Sequence, residues 1–289
     1  MLLQQLINGL TIGGIYALIA IGLALVYGIL RIIHVAHAGV YVVGAYAGLY
    51  AYTFTGSFLV AVFASMVSAA VVGVIIERYV YLPLMGNSPL ISLIASIGIF
   101  ISIEEAMRLI FSPYIRSFGS NLFSGELHLG GVVIGLSQLV VIGVTLACIF
   151  LIWLVTQKSR FGIALKAVSE DMEMAEGVSI DSKRTIAFAF AFSSAFAGLA
   201  GLLVGAYFNS VYPFMGDVPA YKSLAIIVVG GMSSIWGAFW AALLIGVLET
   251  LSIGVFNIPL PRDSIAFIFM VLMLMIKPSG LIGFVKGSR

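Results

Sequence analysis

His34 and His37 stand three residues apart, close enough to share a helix face and in principle a metal ion. No Cys, Asp or Glu lies near enough in sequence to complete a ligand set, and the spacing is not the His-Glu-x-x-His of zinc proteases. The pair therefore reads either as a polar patch at the edge of an apolar run or as a lining group on a permeation path. No metal and no other cofactor is expected. Glu104 and Glu105 are adjacent, and Arg108 one turn on can neutralise one of them. Glu249 is the one acid left inside an apolar run, near its end, so an interfacial and an intramembrane role both stay open. There is no Gly-x-Ser-x-Gly elbow, no phosphate-cradling Gly-x-x-x-x-Gly-Lys-Ser/Thr loop and no pair of deeply placed carboxylates, so no catalytic set is expected.

The elements that hold these residues are set by composition. Of 289 residues, 62% are hydrophobic and only 9% charged, against roughly a quarter charged in a soluble domain. Too few charges remain to cover a globule in water. The solvent of most of the chain is the lipid bilayer, which excludes a soluble enzyme, a disordered tail and a nucleic-acid binder. The single cysteine, Cys148, excludes an intrachain disulfide. Apolar runs fall at 5–30, 36–55, 58–82, 90–111, 129–155, 185–208, 222–256 and 264–276. A crossing needs about 20 residues. The expectation is one all-α polytopic transmembrane bundle over 1–289, with about 8–9 spans, two broken helices and a cytoplasmic coupling loop at 158–184. The first run lacks a basic start and is too long for a cleaved signal. Gly44-x-x-x-Gly48 and Gly198-x-x-Gly201-x-x-x-Gly205 read as helix-packing faces.

Lys158, Arg160, Lys166, Lys183 and Arg184 in the loop, and Lys277, Lys286 and Arg289 in the tail, should both be cytoplasmic. An even number of crossings must then separate them. The 222–256 run, too long for one crossing, supplies the extra one if it breaks into two short spans. The rival is a re-entrant loop. The break falls on Gly230, Gly231, Ser233, Ser234 and Trp236, and a second sits at His34, His37, Gly39 and Tyr41. Unwound backbone at membrane depth is tolerated only where it is buried or lines a cavity, so both breaks are candidate path linings. Paired interruptions in two halves are also the trace of internal repeats. No acid or base stands at either break, which points to a small, mostly apolar cargo.

Within 158–184, Phe161, Leu165, Val168, Met172 and Ala175 recur at helical spacing, with Lys166, Glu170, Glu173 and Glu176 off that face. Asp171 lies between them, Gly162 near the start, and Gly177 is suited to a C-cap. A helix lying on the bilayer is one reading. The acidic polar face favours the other, a docking element for a cytoplasmic protein, with Phe161, Leu165 and Met172 filling a groove of that partner.

Ordered motifs carry a resemblance along nearly the whole chain. They are Asn8-Gly9-Leu10 with Gly13-Gly14-Ile15-Tyr16-Ala17-Leu18, Gly22 to Gly28, Ile32-Ile33-His34-Val35-Ala36-His37-Ala38, and Glu77-Arg78 with Pro83-Leu84. Gly162, Ala164, Lys166, Ala167, Glu170, Asp171, Ala175 and Gly177 follow in the loop. Pro213-Phe214-Met215-Gly216, Gly230-Gly231 with Ser234-Ile235 and Gly237-Ala238, and Lys277-Pro278-Ser279-Gly280-Leu281 complete the set. The chain resembles the LivH-like permease subunits of ABC importers for branched-chain amino acids. The resemblance implies a pore-forming subunit of the bacterial inner membrane. Its partners would be a second permease subunit, two cytoplasmic ATPase subunits and an extracytoplasmic substrate-binding protein. His34, Val35, Ala38 and Gly39 replace the family's usual Asn, Phe, Gly and acid, and Trp236 stands where Pro is common. These departures cluster at the breaks and leave the cargo open, with amides or urea as alternatives. A stand-alone channel is the rival from another class.

Overall fold

The computed structural model describes residues 2–119, 123, 125–129, 132–256 and 261–282. Lys286 and Arg289 lie outside the described residues. A helix satisfies every internal backbone hydrogen bond without water, and apolar runs accordingly become helices. These are α1 (Leu2–Leu30), α2 (His37–Thr55), α3 (Phe58–Ile76), the short α4 (Leu82–Leu84), α5 (Pro89–Phe111) and α6 (Leu136–Lys158). Then come α7 (Arg160–Glu170), α8 (Met172–Gly177), α9 (Ser182–Tyr207), α10 (Asp217–Gly230), α11 (Ile235–Gly254) and α12 (Arg262–Ile276). A π-helical turn, Glu77–Tyr81, joins α3 to α4, and a 3₁₀ turn, Pro213–Gly216, leads into α10. Among the described residues six helices are long and apolar enough to cross a membrane, one of them continuous over Phe58–Leu84.

Two runs start differently from expectation. The 129–155 run opens as strand: Glu126–Leu129 (β1) pairs antiparallel with Val132–Gly135 (β2), and the helix begins at Leu136. β-Branched Val132, Val133 and Ile134 favour this geometry, and Gln4 of α1 holds it, donating to the Val133 carbonyl at 2.8 Å and accepting from its N–H at 2.9 Å. The 222–256 run divides into α10 and α11, and α10 begins five residues before Lys222.

α1 is the central helix, running antiparallel to α11. Gly9 meets Val247 and Gly13 meets Leu243, where an added Cβ would lie 2.7 Å and 2.9 Å from the facing Cα atoms. Gly44 of α2 lies against Gly198 of α9 so closely that a Cβ on Gly44 would overlap the facing backbone. Gly201 meets the Tyr41 carbonyl, and Gly198 also meets Ala69 of α3. The glycine faces read from the sequence are thus the seams of the bundle. Backbone cannot swing aside as a side chain can.

A buried ionic cluster ties the second half of the chain to α1. Lys222 of α10 and Glu249 of α11 are both buried, with Nζ 3.0 Å from Glu249 Oε1. Nζ also pairs with Asp263 at the start of α12 and donates to the Tyr16 hydroxyl of α1 at 2.9 Å. Tyr16 in turn donates to Glu249 Oε2 at 3.1 Å, and Tyr221 to Asp263 at 3.1 Å. Glu249 is fully enclosed by protein. One ammonium thereby organises four helices.

Four outcomes follow from this packing. Gly44→Leu should abolish the monodisperse folded protein in fluorescence-detected size exclusion. Gly143→Ala, where an added Cβ meets nothing within 4 Å, should be neutral or stabilising by up to about 1 kcal/mol. Lys222→Met alone strands a buried carboxylate at a cost of about 3–5 kcal/mol and should lower the thermal midpoint sharply. Adding Glu249→Gln should recover most of the loss.

Candidate translocation and coupling site

One end of the bundle collects both breaks, the coupling helices and the start of the tail. The last turn of α1, Tyr81 and the apolar faces of α7 and α8 share one core cluster. Gly28 approaches Ser233, and Gly280 abuts Gly231. The 158–184 loop and the start of the tail therefore lie at the same end, as an even number of passes between them requires. Exposed Arg31, Arg78, Lys158, Arg160, Lys183, Arg184 and Lys277 belong to this end as well.

At the first break the chain leaves α1 through Arg31, whose φ of 52° turns it back. Residues 31–36 lie outside the helices, with Arg31 N–H still bonded back to the Tyr27 carbonyl at 2.8 Å, until α2 begins at His37. Backbone groups freed here find partners: the Ala36 N–H donates to Ser96 Oγ of α5 at 2.9 Å, and the His37 N–H to the His34 carbonyl at 3.2 Å. His34 Nδ1 lies 2.7 Å from the Tyr81 hydroxyl, and its ring packs on Phe190 and His37. His37 lies against Gly22 of α1, Gly39 under Ile103, and Tyr41 against Gly201. His34, His37, Gly39 and Tyr41 are all buried inside the chain. Within the chain they pack against neighbouring helices, and His34 pairs through Nδ1 with Tyr81, while His34 Nε2 and both ring nitrogens of His37 have no hydrogen-bond partner among the described residues.

The second break is a tight turn over residues 231–234 with Gly231 at φ 105°. The Gly230 and Gly237 backbones touch, which only glycines permit. Ser234 caps α11 by accepting from the Gly237 N–H at 3.0 Å. The tail closes the turn, Leu281 N–H donating to Val229 O at 2.8 Å and Ile282 N–H to Gly230 O at 3.2 Å. Gly230 and Gly231 are buried, Ser233 is exposed, and Ser234 and Trp236 are half-buried. The two breaks are therefore different devices, one sealed in the core and one reaching the surface. A further stretch outside the α-helices, residues 208–216, ends in the 3₁₀ turn Pro213–Gly216 and leads into α10; the sequence marked its Pro213-Phe214-Met215-Gly216 motif but not its place in the fold. Its Gly216 packs on Ala38, Val42 and Phe100. Lys222 was also missed, because it stands at the edge of an apolar run and its partners lie on other helices.

The coupling helices are rooted in the same core. Ser159 caps α7 by accepting from the Gly162 N–H at 3.2 Å, and Asp171 caps α8 by accepting from Met174 N–H at 2.9 Å. Asp171 is thus the corner between the two helices. Gly162 lets α7 fold back on the end of α6, where any Cβ would overlap the Thr156 carbonyl. Phe161 packs on Phe188 of α9 with ring centroids 4.4 Å apart. Leu165, Val168 and Ala175 are buried, and Met172 packs with them.

This corrects the expected anchors. Phe161, Leu165 and Met172 fill the chain's own core, because an apolar face next to α1 and α9 is captured there first. The outward surface is Ile163, Lys166, Glu170, Asp171, Met174 and Val178, with Ile163, Met174 and Val178 about 70% exposed. Gly177 ends α8 but has no positive φ; Ser179, at 65°, makes the turn instead.

Comparison with known proteins identifies the family. A family model described as branched-chain amino acid transport system / permease component matches residues 5–276. The high-affinity branched-chain amino acid transport system permease protein BraD of Pseudomonas aeruginosa is 36% identical over 97% of this chain and 95% of its own. The corresponding permease protein LivH of Escherichia coli K12 is 33% identical over the same shares. Among solved structures, PsaBC from Streptococcus pneumoniae in complex with Fab superposes with a TM-score of 0.51 at 14% identity, covering 94% of this chain and 91% of that one. Its likeness speaks for the fold. The chain belongs to the family of permease components of branched-chain amino acid transport systems.

Proposed function

We propose that this chain is the membrane-spanning subunit of an ABC importer that passes small apolar amino acids through the bacterial inner membrane. The observation that carries the reading is the placement of α7 and α8. They are fixed by a buried face to α1 and α9, the helices that pack around the first break, and they turn an apolar and charged ridge outward. A push on that ridge is delivered to the helices that must rearrange for alternating access. ATP hydrolysis belongs to two partner ATPase subunits that bind there, with Lys166, Glu170 and Asp171 setting register at the rim. A second permease subunit completes the pore, and an extracytoplasmic binding protein delivers cargo at the opposite end.

All of 1–289 forms one permease domain in this reading. α2, α10 and α12 join the six long helices to make about nine passes, within the expected 8–9. The basic end faces the cytoplasm. Of the residues at the breaks, Ser233, Ser234 and Trp236 reach the surface that a second subunit would cover, and these line the path. His34, His37, Gly39, Tyr41, Gly230 and Gly231 act one layer behind, shaping it. The relatives named above are branched-chain amino acid permeases, and the stretches His34–Gly39 and Gly230–Gly237, which hold no acid, lysine or arginine, suit the same cargo, since a lone charge at membrane depth costs on the order of 2.5–3.5 kcal/mol.

Two outcomes test this. ATP-driven uptake into vesicles carrying the whole transporter should favour leucine over lysine and glutamate; the reverse preference would remove the cargo assignment. The Ile163→Asp, Met174→Asp double variant should insert and fold normally yet lose coupled uptake by about tenfold or more, as when a docking hot spot is removed. Leu165→Asp should instead reduce the amount of folded permease. Full uptake by the double variant at normal membrane level would rule out docking at this ridge.

A further inference from the structure

Glu104 of α5 and Asp217 at the start of α10 stand far apart in sequence and meet in the fold. Gly216 packs on Phe100 of α5, where an added Cβ would lie 3.1 Å from the ring. Glu104 follows Phe100 by one helical turn on the same face, so it points at the residue after Gly216. Asp217 is accordingly within hydrogen-bonding reach of Glu104. Both lie deep. α5 starts at the basic end, where its Ser92 lines a cavity with Ile29 and Met172, and α10 finishes there at Gly230. At 1.5 Å per residue, Glu104 stands about 22 Å from the start of α5 and Asp217 about 20 Å from the end of α10. That is roughly two thirds of the way through a ~30 Å hydrocarbon core.

The pair has no counter-ion. Among the described residues no lysine, arginine or histidine pairs with Glu104 or Asp217, and no N–H or O–H reaches Glu104 Oε1. Glu104 itself is 6% exposed. The one base on α5, Arg108, is taken by Glu105 at 2.6 Å. α2, which packs on α5, brings His37 and tyrosines but no acid, lysine or arginine, and the 3₁₀ turn brings no titratable group. Two ionised carboxylates in contact repel strongly in an apolar surround. One proton between them removes the repulsion and supplies the hydrogen bond that two acceptors cannot make. Asp217 is exposed and lies in the first turn of α10, where the helix end favours a negative charge. Glu104 is enclosed, so the proton sits on Glu104 and is donated to Asp217. The uncovered side of α5 carries Ser102, Glu105 and Arg108, whereas those of α3 and α6 carry Phe63, Val67, Leu146 and Phe150. Lipid suits the last four and not the first three, so Asp217 borders a face that water or protein covers.

We propose that Glu104 and Asp217 form a proton-binding carboxyl pair in the half of the bundle away from the basic end, with one proton shared between them and exchangeable through Asp217. The bond ties α5 to the entry of α10. α5 also takes up the Ala36 N–H through Ser96, and Gly216 packs on Ala38, so the proton joins two supports of the first break. A transport cycle that parts α5 from α10 has to break this bond. That consequence rests on the transport reading above; the pair itself does not.

Infrared difference spectroscopy on the assembled transporter at neutral pH reads the proton directly, as the C=O stretch of a protonated carboxyl. Wild type minus Glu104→Gln should show that band. Each single amide variant keeps one negative charge and one hydrogen bond within the pair, so both should fold. The double variant Glu104→Gln, Asp217→Asn supplies a second baseline. Asp217→Asn alone should lose the band as well, because Glu104 then has a neutral neighbour that donates an N–H and carries the charge itself. A glutamic acid protonated by burial alone would keep its band in Asp217→Asn. No band in wild type against either baseline, or a band that survives Asp217→Asn, would overturn the shared proton. Leucine uptake measured on the same preparations separates the two readings. The band without uptake keeps the pair and removes the transport reading, and uptake without the band does the reverse.

Discussion

In a hydrocarbon surround, every backbone N–H and C=O left out of a helix costs several kcal/mol unless the protein itself supplies a partner. The whole arrangement turns on how this chain meets that constraint at its two breaks. Ser96 takes up the Ala36 N–H at the first, and the returning tail bonds the carbonyls of Val229 and Gly230 at the second. Each solution recruits a distant element: α5 in one case, the segment after α12 in the other. The breaks are thereby stitched into the bundle rather than left as hinges in isolation. The glycine seams of α1 with α11 and of α2 with α9 then bring backbones close enough for these bonds to form.

The same economy explains the coupling element. α7 and α8 are too polar to cross and too apolar on one face to float. They lie at the bundle end on Leu25, Val26, Ile29, Ile186 and Phe190. What remains outside is a short ridge whose position is fixed by the first break's own neighbours. Lys222 plays a comparable part deeper in the bundle, since its one ammonium is shared among Tyr16, Glu249 and Asp263. Ionic and hydrogen-bonding capacity is spent where helices would otherwise be free to slide. Removing one member of such a cluster costs more than never having had it.

Much of this was legible from residues alone. Length and hydropathy located the helices, because burial in lipid needs long apolar runs. Glycine spacing located the seam of α2 with α9 but not that of α1 with α11, and Gly230-Gly231 with Ser233-Ser234 located the second break. The breaks' surroundings were not legible, since they depend on contacts between residues far apart in sequence. His34 and His37 read either as a polar patch at the edge of an apolar run or as path linings, and they stand in the core, because spacing along a helix does not say which neighbour covers it. The apolar face of Leu165 had the same ambiguity: amphipathic periodicity cannot separate the chain's own core from a partner's groove. Gly177 looked like the turn residue, yet Ser179 adopts the left-handed conformation two positions later. The hairpin of 126–135 lay hidden in an apolar run because Val and Ile serve strands and membrane helices alike.

The central claim is that α7–α8 and the helices around the first break move as one body when force arrives from outside the membrane. Pulsed electron-electron spin resonance on the assembled transporter tests it directly, with labels at Lys166 on α7 and Lys183 at the start of α9, both exposed. The account predicts the same intrachain distance distribution in the nucleotide-free and ATP-trapped states, while the distance from Lys166 to its counterpart in the second subunit changes. A shift in the intrachain distance between the two states would show the coupling element swinging free of its root and would contradict the account.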